Sequence, residues 1–516
     1  LYSDVKLKVI SMPALQPGAI LEYKATLEDA QPSAEKPWIW GSMSFQWIEP
    51  ILASKCAVRL PKDVQFKWKL RRCQIDPVIT EDGENLTYIW ISKNNPEIAL
   101  EPAMPPLEEV SPLLIFSTTK SWDEVYKWYK ELASPQEQID DAIKKKVEEL
   151  IAGKTTDDEK IKAIFEFAAS EIRYVAIELG QGAYQPTAAA DVFKYRYGDC
   201  KDKATLLITM LREAGIEAYQ VLISPAPYKM VDLELPSIGQ FAHVIVAVPL
   251  ENGGYIWLDP TISTCKYGDL PAGDQGRKAF VIGEDKGEFA DTPVFPSEAN
   301  KITSTSEITL SDDGTIRGWE QTTASGQADI YLKSIYRLIK PDEQRKFLEN
   351  VLNQRYPGVK IEKISISDLY NLNAPVEIRV DFSCPEYALN LGGTLVFPIP
   401  SEEFSSYAAM VGAAKRDYDF HLGYNMTMEK VLTLSFPDGY KAVSLPGDVA
   451  INHELGKFER KYENVNASAI RYSTSLKFNS HIIPAKNYDV VKNLMEMAAR
   501  EDRAQIILTK SGIREE

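Results

Sequence analysis

The feature that most constrains the fold is a change of hydrophobic periodicity, which occurs twice along the chain. Up to about residue 117, apolar and polar residues alternate as they do in β-strands. From Ser121 to about residue 214, apolar residues instead recur every three or four positions, which predicts helices. Strand-like alternation returns at 216 and continues, with helical insertions predicted at 341–354 and 486–501. The pattern excludes a single sheet or a single helical bundle and predicts a multidomain α+β protein.

The chain has 516 residues, which is enough for about three domains or more. Its N-terminal strands are predicted at 4–10, 19–27, 43–48, 55–60 and 86–91. We predict four segments: an N-terminal β-sandwich at 1–117, a core of helices packed on an antiparallel sheet at 118–292, a β-rich domain with a helical insertion at 293–400, and a C-terminal β-rich domain with a late helix at 401–516. Because the sequence begins at Leu1, within strand-like residues, we expect the first domain to be incomplete and any signal peptide to be missing.

Composition and charge exclude several classes of protein. Hydrophobic residues make up 44% and charged residues 26%, as in packed globular domains. The net charge of −16 repels phosphate backbones, so we expect no nucleic-acid partner. No run approaches the roughly 20 apolar residues that cross a bilayer, so we predict no integral membrane segment. The five cysteines are too few and too scattered for a disulfide scaffold.

One cysteine lies at the predicted start of a helix, in Y-G-D-C-K-D-K-A-T-L-L at 197–207. A thiol at a helix N-terminus lies at the positive end of the helix dipole, which favours the thiolate. Cys200 is therefore a candidate nucleophile. The alternative is a small buried hydrophobic residue, which is what most lone cysteines are. We interpret Lys201, Asp202 and Lys203 as a solvated first turn of this helix.

A histidine and an aspartate lie near the ends of two predicted strands. His243 occurs in F-A-H-V-I-V-A-V at 241–248, where an imidazole buried without a partner would cost about 1–3 kcal/mol. A turn signal, P-L-E-N-G-G, separates it from Y-I-W-L-D, which ends at Asp259. A hairpin centred near residue 251 would place Asp259 opposite His243, and a slip of one residue would turn Asp259 to the other face. The alternative is a satisfied core histidine and a strand-end aspartate.

A cysteine protease needs a nucleophile, a base and an orienting acid, and these residue types occur here as Cys200, His243 and Asp259. The segments G-D-C-K-D-K-A-T-L-L, A-H-V and W-L-D-P-T resemble the transglutaminase-like cysteine hydrolase superfamily, whose catalytic core is related to that of papain-type proteases. More narrowly, R-Y-V-A-I-E-L-G-Q-G-A-Y-Q-P at 173–186 and Y-G-D-L-P-A-G-D-Q-G-R at 267–277 resemble bacterial transglutaminase-like proteins whose core is flanked by β-sandwich domains of unknown function. The motif similarity covers about 155–280.

The resemblance implies a papain/transglutaminase-like α+β core and acyl transfer through a thioester. Cys200 would attack an amide carbonyl, His243 would move the proton, and Asp259 would orient His243. The backbone N–H of Cys200 would supply one oxyanion donor. Tyr174 and Gln181 are the candidates for the second oxyanion or substrate-binding group.

The expected activity is hydrolysis of peptide or side-chain amide bonds in a protein or peptide substrate, as in a cysteine protease or amidase. Two alternatives stay open: a protein-glutamine transamidase, and a non-catalytic β-sandwich scaffold at the cell surface or in the periplasm. We expect no cofactor and no metal, because the sequence has no zinc-type histidine pair and no calcium loop. The expected location is the periplasm, the cell surface or the medium.

Overall fold

The chain is a multidomain α+β protein, as the sequence predicts. The computed structural model describes residues 11–12, 16–26, 38–176, 183–400 and 404–511. Within those ranges, none of the helices combines the length and the hydropathy that crossing a membrane requires.

Over its described residues, the N-terminal region contains two three-stranded antiparallel sheets, with orders β1-β6-β3 and β2-β5-β4. Its elements are β1 (Trp40–Ser44), β2 (Ile51–Pro61), β3 (Lys67–Arg71), β4 (Val78–Asp82), β5 (Asn85–Asn95), α1 (Leu107–Val110) and β6 (Leu113–Ser117). Phe45, Trp90 and Leu114 are buried between the sheets. The strand predicted at 4–10 lies outside the described residues. The strand predicted at 19–27 is wrong over 19–26, where the chain is exposed and forms no ladder; alternation alone does not make a strand without a partner.

The central region packs five helices against a five-stranded antiparallel sheet of order β11-β10-β9-β12-β13. Its elements are α2 (Trp122–Ala133), α3 (Asp141–Ile151), α4 (Asp157–Glu171), β7 (Arg173–Tyr174), α5 (Ala189–Tyr195), β8 (Tyr197–Gly198), α6 (Cys200–Glu213), β9 (Tyr219–Ile223), β10 (His243–Pro249), β11 (Tyr255–Leu258), β12 (Lys278–Ile282) and β13 (Gly287–Asp291). Val244 and Val246 of β10 face the helices, whereas Ile245 and Ala247 belong to a second cluster on the other face. The sheet is therefore apolar on both sides.

Local signals set the helix ends. Thr156 and Glu159 form the reciprocal capping box that the sequence predicts at the start of α4. The box predicted at Ser121 is only half formed, because the Glu124 carboxylate accepts from the amide of Lys120. At the other end of α6, Gly215 has a φ of 79°, which suits a glycine at the helix C-terminus.

The C-terminal region is built on an eight-stranded sheet of order β16-β17-β15-β14-β21-β25-β24-β23 and a four-stranded sheet of order β18-β19-β27-β22. Its elements are β14 (Lys301–Leu310), β15 (Ile316–Ala324), α7 (Gln327–Leu338), α8 (Pro341–Arg355), β16 (Lys360–Ile366), β17 (Val376–Cys384), β18 (Leu389–Asn390), β19 (Thr394–Pro398), α9 (Phe404–Ala409), β20 (Phe420–His421), β21 (Met426–Ser435), β22 (Tyr440–Ser444), β23 (Val449–His453), β24 (Gly456–Asn466), β25 (Ala469–Phe478), β26 (Ile482–Ile483), α10 (Tyr488–Arg500) and β27 (Gln505–Lys510). Strand β14 pairs in parallel with β21. The boundary proposed between residues 400 and 401 therefore separates two segments of the sequence whose strands belong to one sheet.

Both flanking regions hold loops of the central region. Trp40 packs so closely on Gly239, four residues before His243, that a Cβ added at Gly239 would lie 1.8 Å from the Trp40 indole nitrogen. From the C-terminal side, the side chain of Gln327 accepts from the amide of Ala272 (2.8 Å) and donates to the carbonyl of Leu270 (2.8 Å). The loops beside β10 and β12 are thus fixed by neighbouring domains.

Candidate active site

Cys200 is the first residue of α6. Asp199 is the N-cap, and its carboxylate accepts from the amide of Asp202 (3.3 Å), while the Asp202 side chain accepts from the amide of Asp199 (3.1 Å). Gly198 is required because a Cβ there would lie 2.6 Å from that of Asp202. This capping box fixes the thiol at the positive end of the helix, as the sequence predicts.

The first turn of α6 is buried, which corrects the interpretation of its charged residues as solvated. Lys201 forms an ion pair with Asp199, and both side chains are almost fully buried. The ammonium of Lys203, 1% exposed, donates to the carbonyls of Ala169 (3.3 Å) and Ile172 at the end of α4. Burial lowers the pKa of Lys203 to about 8. The sequence pattern did not predict the burial of these charged residues. Other elements surround α6, so that its polar side chains are also covered by the rest of the protein.

His243 is the first residue of β10, and its Nε2 lies 3.2 Å from Oδ2 of Asp259, just after β11. The hairpin register differs from the expected one: Val246 pairs with Leu258, so position 261 and not 259 falls opposite His243. A shift of two positions preserves the strand face, and Asp259 therefore still reaches the imidazole. The second oxygen of Asp259, Oδ1, accepts from the amide (2.8 Å) and the hydroxyl (2.7 Å) of Thr261.

The Cys200 side chain lies near the imidazole of His243, close enough to affect its pKa. Burial opposes protonation of His243, but Asp259 and Cys200 outweigh it and raise the pKa of His243 well above its usual value. Burial likewise opposes ionisation of Asp259, and the imidazolium and the Thr261 donors outweigh it, so that the pKa of Asp259 is lowered. The site therefore favours an ion pair of imidazolium and carboxylate beside the thiol.

A fourth side chain, that of Asp274, lies in the same cluster. Ligating atoms of His243, Asp259 and Asp274 all lie within 4.8 Å of one another. Such a set could hold a divalent cation, but each member already has a protein partner. Asp274 was not among the sequence candidates, although it lies in the quoted segment 267–277; nothing in its spacing shows that the loop folds back onto the hairpin.

The structure describes one of the two candidates for a second oxyanion donor and not the other. Tyr174 lies on β7, half-exposed, and pairs with Gly198 two residues before Cys200, so the structure places it beside the helix start. Gln181 lies outside the described residues. The role of either residue stays a prediction.

The other four cysteines differ from Cys200 in their surroundings. None of the five forms a disulfide. Burial raises the pKa of the Cys56 and Cys384 thiols, and the pKa of the fully buried Cys265 is raised well above its usual value by burial and by nearby carboxylates. Among these thiols Cys200 alone contacts a histidine that also contacts a carboxylate.

The segment that contains these residues matches a model of a protein family. The model of the transglutaminase-like superfamily matches residues 144–260, which include all three residues of the cluster that the sequence predicts. Two domains of unknown function that have solved structures match on either side, DUF3857 at 1–99 and DUF3858 at 393–508. The chain thus contains a transglutaminase-like core flanked by these two domains, which confirms the resemblance.

A solved structure shares the overall fold. The crystal structure of "a putative protease" from Parabacteroides distasonis is similar with a TM-score of 0.64 and 15% identity over 92% of this chain and 76% of that chain. Smaller similarities link the chain to "a putative cysteine protease" from Cytophaga hutchinsonii (TM-score 0.21, 12% identity, 49% and 90% of the two chains) and to the periplasmic domain of TgpA from Pseudomonas aeruginosa (0.19, 15%, 46% and 85%). No curated protein matches the sequence.

Proposed function

We propose that this protein is a cysteine-dependent hydrolase that cleaves peptide or side-chain amide bonds through a thioester. The observation that carries the proposal is that Cys200, at the start of α6, lies near His243, whose Nε2 is 3.2 Å from Oδ2 of Asp259. A nucleophile, a base and an acid in hydrogen-bonding contact are the arrangement that acyl transfer requires. The match to the transglutaminase-like superfamily supports the same class of reaction.

In the proposed reaction, His243 holds the proton of Cys200 and the thiolate attacks the amide carbon. The oxyanion that forms accepts from the backbone N–H of Cys200, which the geometry of α6 leaves without a partner within the helix. His243 then gives its proton to the departing amine, and the acyl group stays on sulfur as a thioester. Water attacks next, His243 accepts its proton, and the carboxylic acid leaves as the thiol is restored. Asp259 keeps the imidazole oriented and balances its charge throughout.

The test is Cys200→Ala measured against a matched control, Cys56→Ala. Each full chain is incubated with a peptide digest of a proteome, with and without an added primary amine, and new termini and mass changes are read by mass spectrometry. Cys200→Ala should lower cleavage by at least about 1,000-fold, since a catalytic triad works as a unit, whereas Cys56→Ala should retain it.

Cleavage that persists in Cys200→Ala would refute the role of the thiol. Incorporation of the amine with release of ammonia would instead identify a transamidase. Complete inertness of the wild-type chain, together with a Cys200 no more reactive toward iodoacetamide than Cys56, would favour the scaffold. The expected periplasmic, cell-surface or secreted location remains a prediction, which cell fractionation would test.

A further inference from the structure

Two carboxyl groups are buried close together at the rear of the candidate site. Asp259 and Asp274 are each 2% exposed, and carboxylate oxygens of the two side chains lie within 4.8 Å of one another. Two buried carboxylates so close together repel each other strongly if both are ionised, which favours a state in which one of them holds a proton. In that state the pair consists of one acid that can donate and one carboxylate that can accept.

The partners of each group decide where the proton lies. Asp259 accepts from both donors of Thr261 and from His243, and three donors stabilise a carboxylate. Among the described residues no comparable set of donors meets the Asp274 side chain: burial, above all, and the charge of Asp259 raise its pKa well above the usual value, although His243 and Arg277 oppose this. The proton accordingly belongs to Asp274.

The loop that carries Asp274 is fixed on several sides. The amide of Asp274 donates to the carbonyl of Pro271 (3.0 Å), and the hydroxyl of Thr292 donates to the carbonyl of Asp274. Gln327 of α7 holds the same loop through Ala272 and so ties it to the C-terminal region. A side chain on so constrained a loop holds its partner in one orientation.

We propose that Asp274 is a positioning residue, a carboxylic acid that donates a hydrogen bond to Asp259 and holds that carboxylate against His243. Its consequence for hydrolysis rests on the function proposed above, but its effect on the imidazole and thiol does not. Asp274 touches neither the nucleophile nor the scissile bond in this role, and its proton is not transferred.

The role depends on pH, because an ionised Asp274 can no longer donate. The titratable and charged groups that face it are His243 on β10, Asp259 and Cys265 after β11, and Arg277 before β12. With Asp274 ionised, the cluster would gain a second buried negative charge beside Asp259. We therefore expect the wild-type site to lose its ordered geometry as pH rises through the pKa of Asp274.

The experiment compares Asp274→Asn, which can donate at every pH, with Asp274→Ala, which cannot. The rate of Cys200 alkylation by iodoacetamide is measured across pH by peptide mass spectrometry in the full chain, with EDTA present to exclude a bound cation. At neutral pH the Asn variant should react within about threefold of wild type and the Ala variant about 10- to 100-fold more slowly, as expected for loss of a hydrogen bond to a charged group. In wild type, the rate of Cys200 alkylation should also change at alkaline pH, where Asp274 ionises. The Asn variant should lack this change. Thermal unfolding checks that both variants fold.

Equal rates for wild type and Asp274→Ala would overturn the inference, as would an Asn variant as slow as the Ala variant. If Asp274→Ala does not fold, the test is the rate of Cys200 alkylation by Asp274→Asn at alkaline pH. A dependence on pH identical to that of wild type would contradict the proposed role of Asp274. The alkylation readout needs no substrate. A slow Ala variant in a chain that hydrolyses nothing would thus support the role of Asp274 while refuting the proposed hydrolase.

Discussion

Replacing Asp259 by asparagine tests the geometry of the site most directly. Both donors of Thr261 meet Oδ1 of Asp259, and His243 meets Oδ2. In Asp259→Asn the amide oxygen should take the place that faces the two Thr261 donors. The amide NH₂ must then face Nε2 of His243 and donate to it.

This orientation forces the wrong tautomer on the imidazole. A neutral His243 that accepts at Nε2 carries its proton on Nδ1, the nitrogen left to face Cys200, and cannot take the proton of the thiol. The corresponding change in a Ser-His-Asp protease lowers kcat by about 10⁴-fold. We expect a loss of about 10³- to 10⁴-fold in kcat/KM, which corresponds to about 4–5.5 kcal/mol of transition-state stabilisation.

The pH dependence of Cys200 alkylation measures the same effect without a substrate. Asp259 contributes to the raised pKa of His243, so its loss lowers that pKa and destabilises the imidazolium beside the thiolate. The pH dependence of Cys200 alkylation should therefore differ between Asp259→Asn and wild type. The matched control is Asp269→Asn, since Asp269 lies in the same segment, pairs with Lys266 at 3.7 Å and has no bond to His243. An unshifted alkylation profile in Asp259→Asn, or a kcat/KM within about tenfold of wild type, would show that Asp259 does not set the tautomer of His243.

Two further predictions concern the buried charges of α6. Because the pKa of Lys203 is about 8 when folded and 10.5 in its ordinary state, the unfolded chain binds more protons between these values, and the free energy of unfolding should rise by about 3 kcal/mol from pH 8 to 10.5. Urea titrations of Lys203→Met should lack this rise, and an equal rise in both chains would contradict the assignment. Asp199→Ala removes the N-cap and leaves Lys201 buried without its partner, which should cost about 3–5 kcal/mol. The double variant Asp199→Asn with Lys201→Met should lose much less, and equal losses in the two would show that the ion pair is not the cause.

How far the sequence predicts the site differs from residue to residue. Cys200 was identifiable because a capping residue, an apolar stripe and a terminal glycine mark a helix locally. His243 and Asp259 were identifiable because polar residues at the ends of apolar strands need partners. The register of the hairpin that carries His243 and Asp259 was not identifiable from the sequence, since a turn of uncertain length allows pairings that differ by a residue or two.

Local sequence patterns are enough to predict the order of helices and strands, the position of the thiol at a helix start and the resemblance of the core to transglutaminase-like proteins, because these features depend on neighbours within a few turns or strands. Tertiary packing is what pairs β14 with β21, whose paired residues Lys301 and Thr427 are 126 positions apart, what buries Lys203 and what brings Asp274 close to Asp259. Such contacts depend on how separate loops pack in space. Local periodicity does not predict that packing, because it indicates which face of an element is apolar but not which other element covers that face.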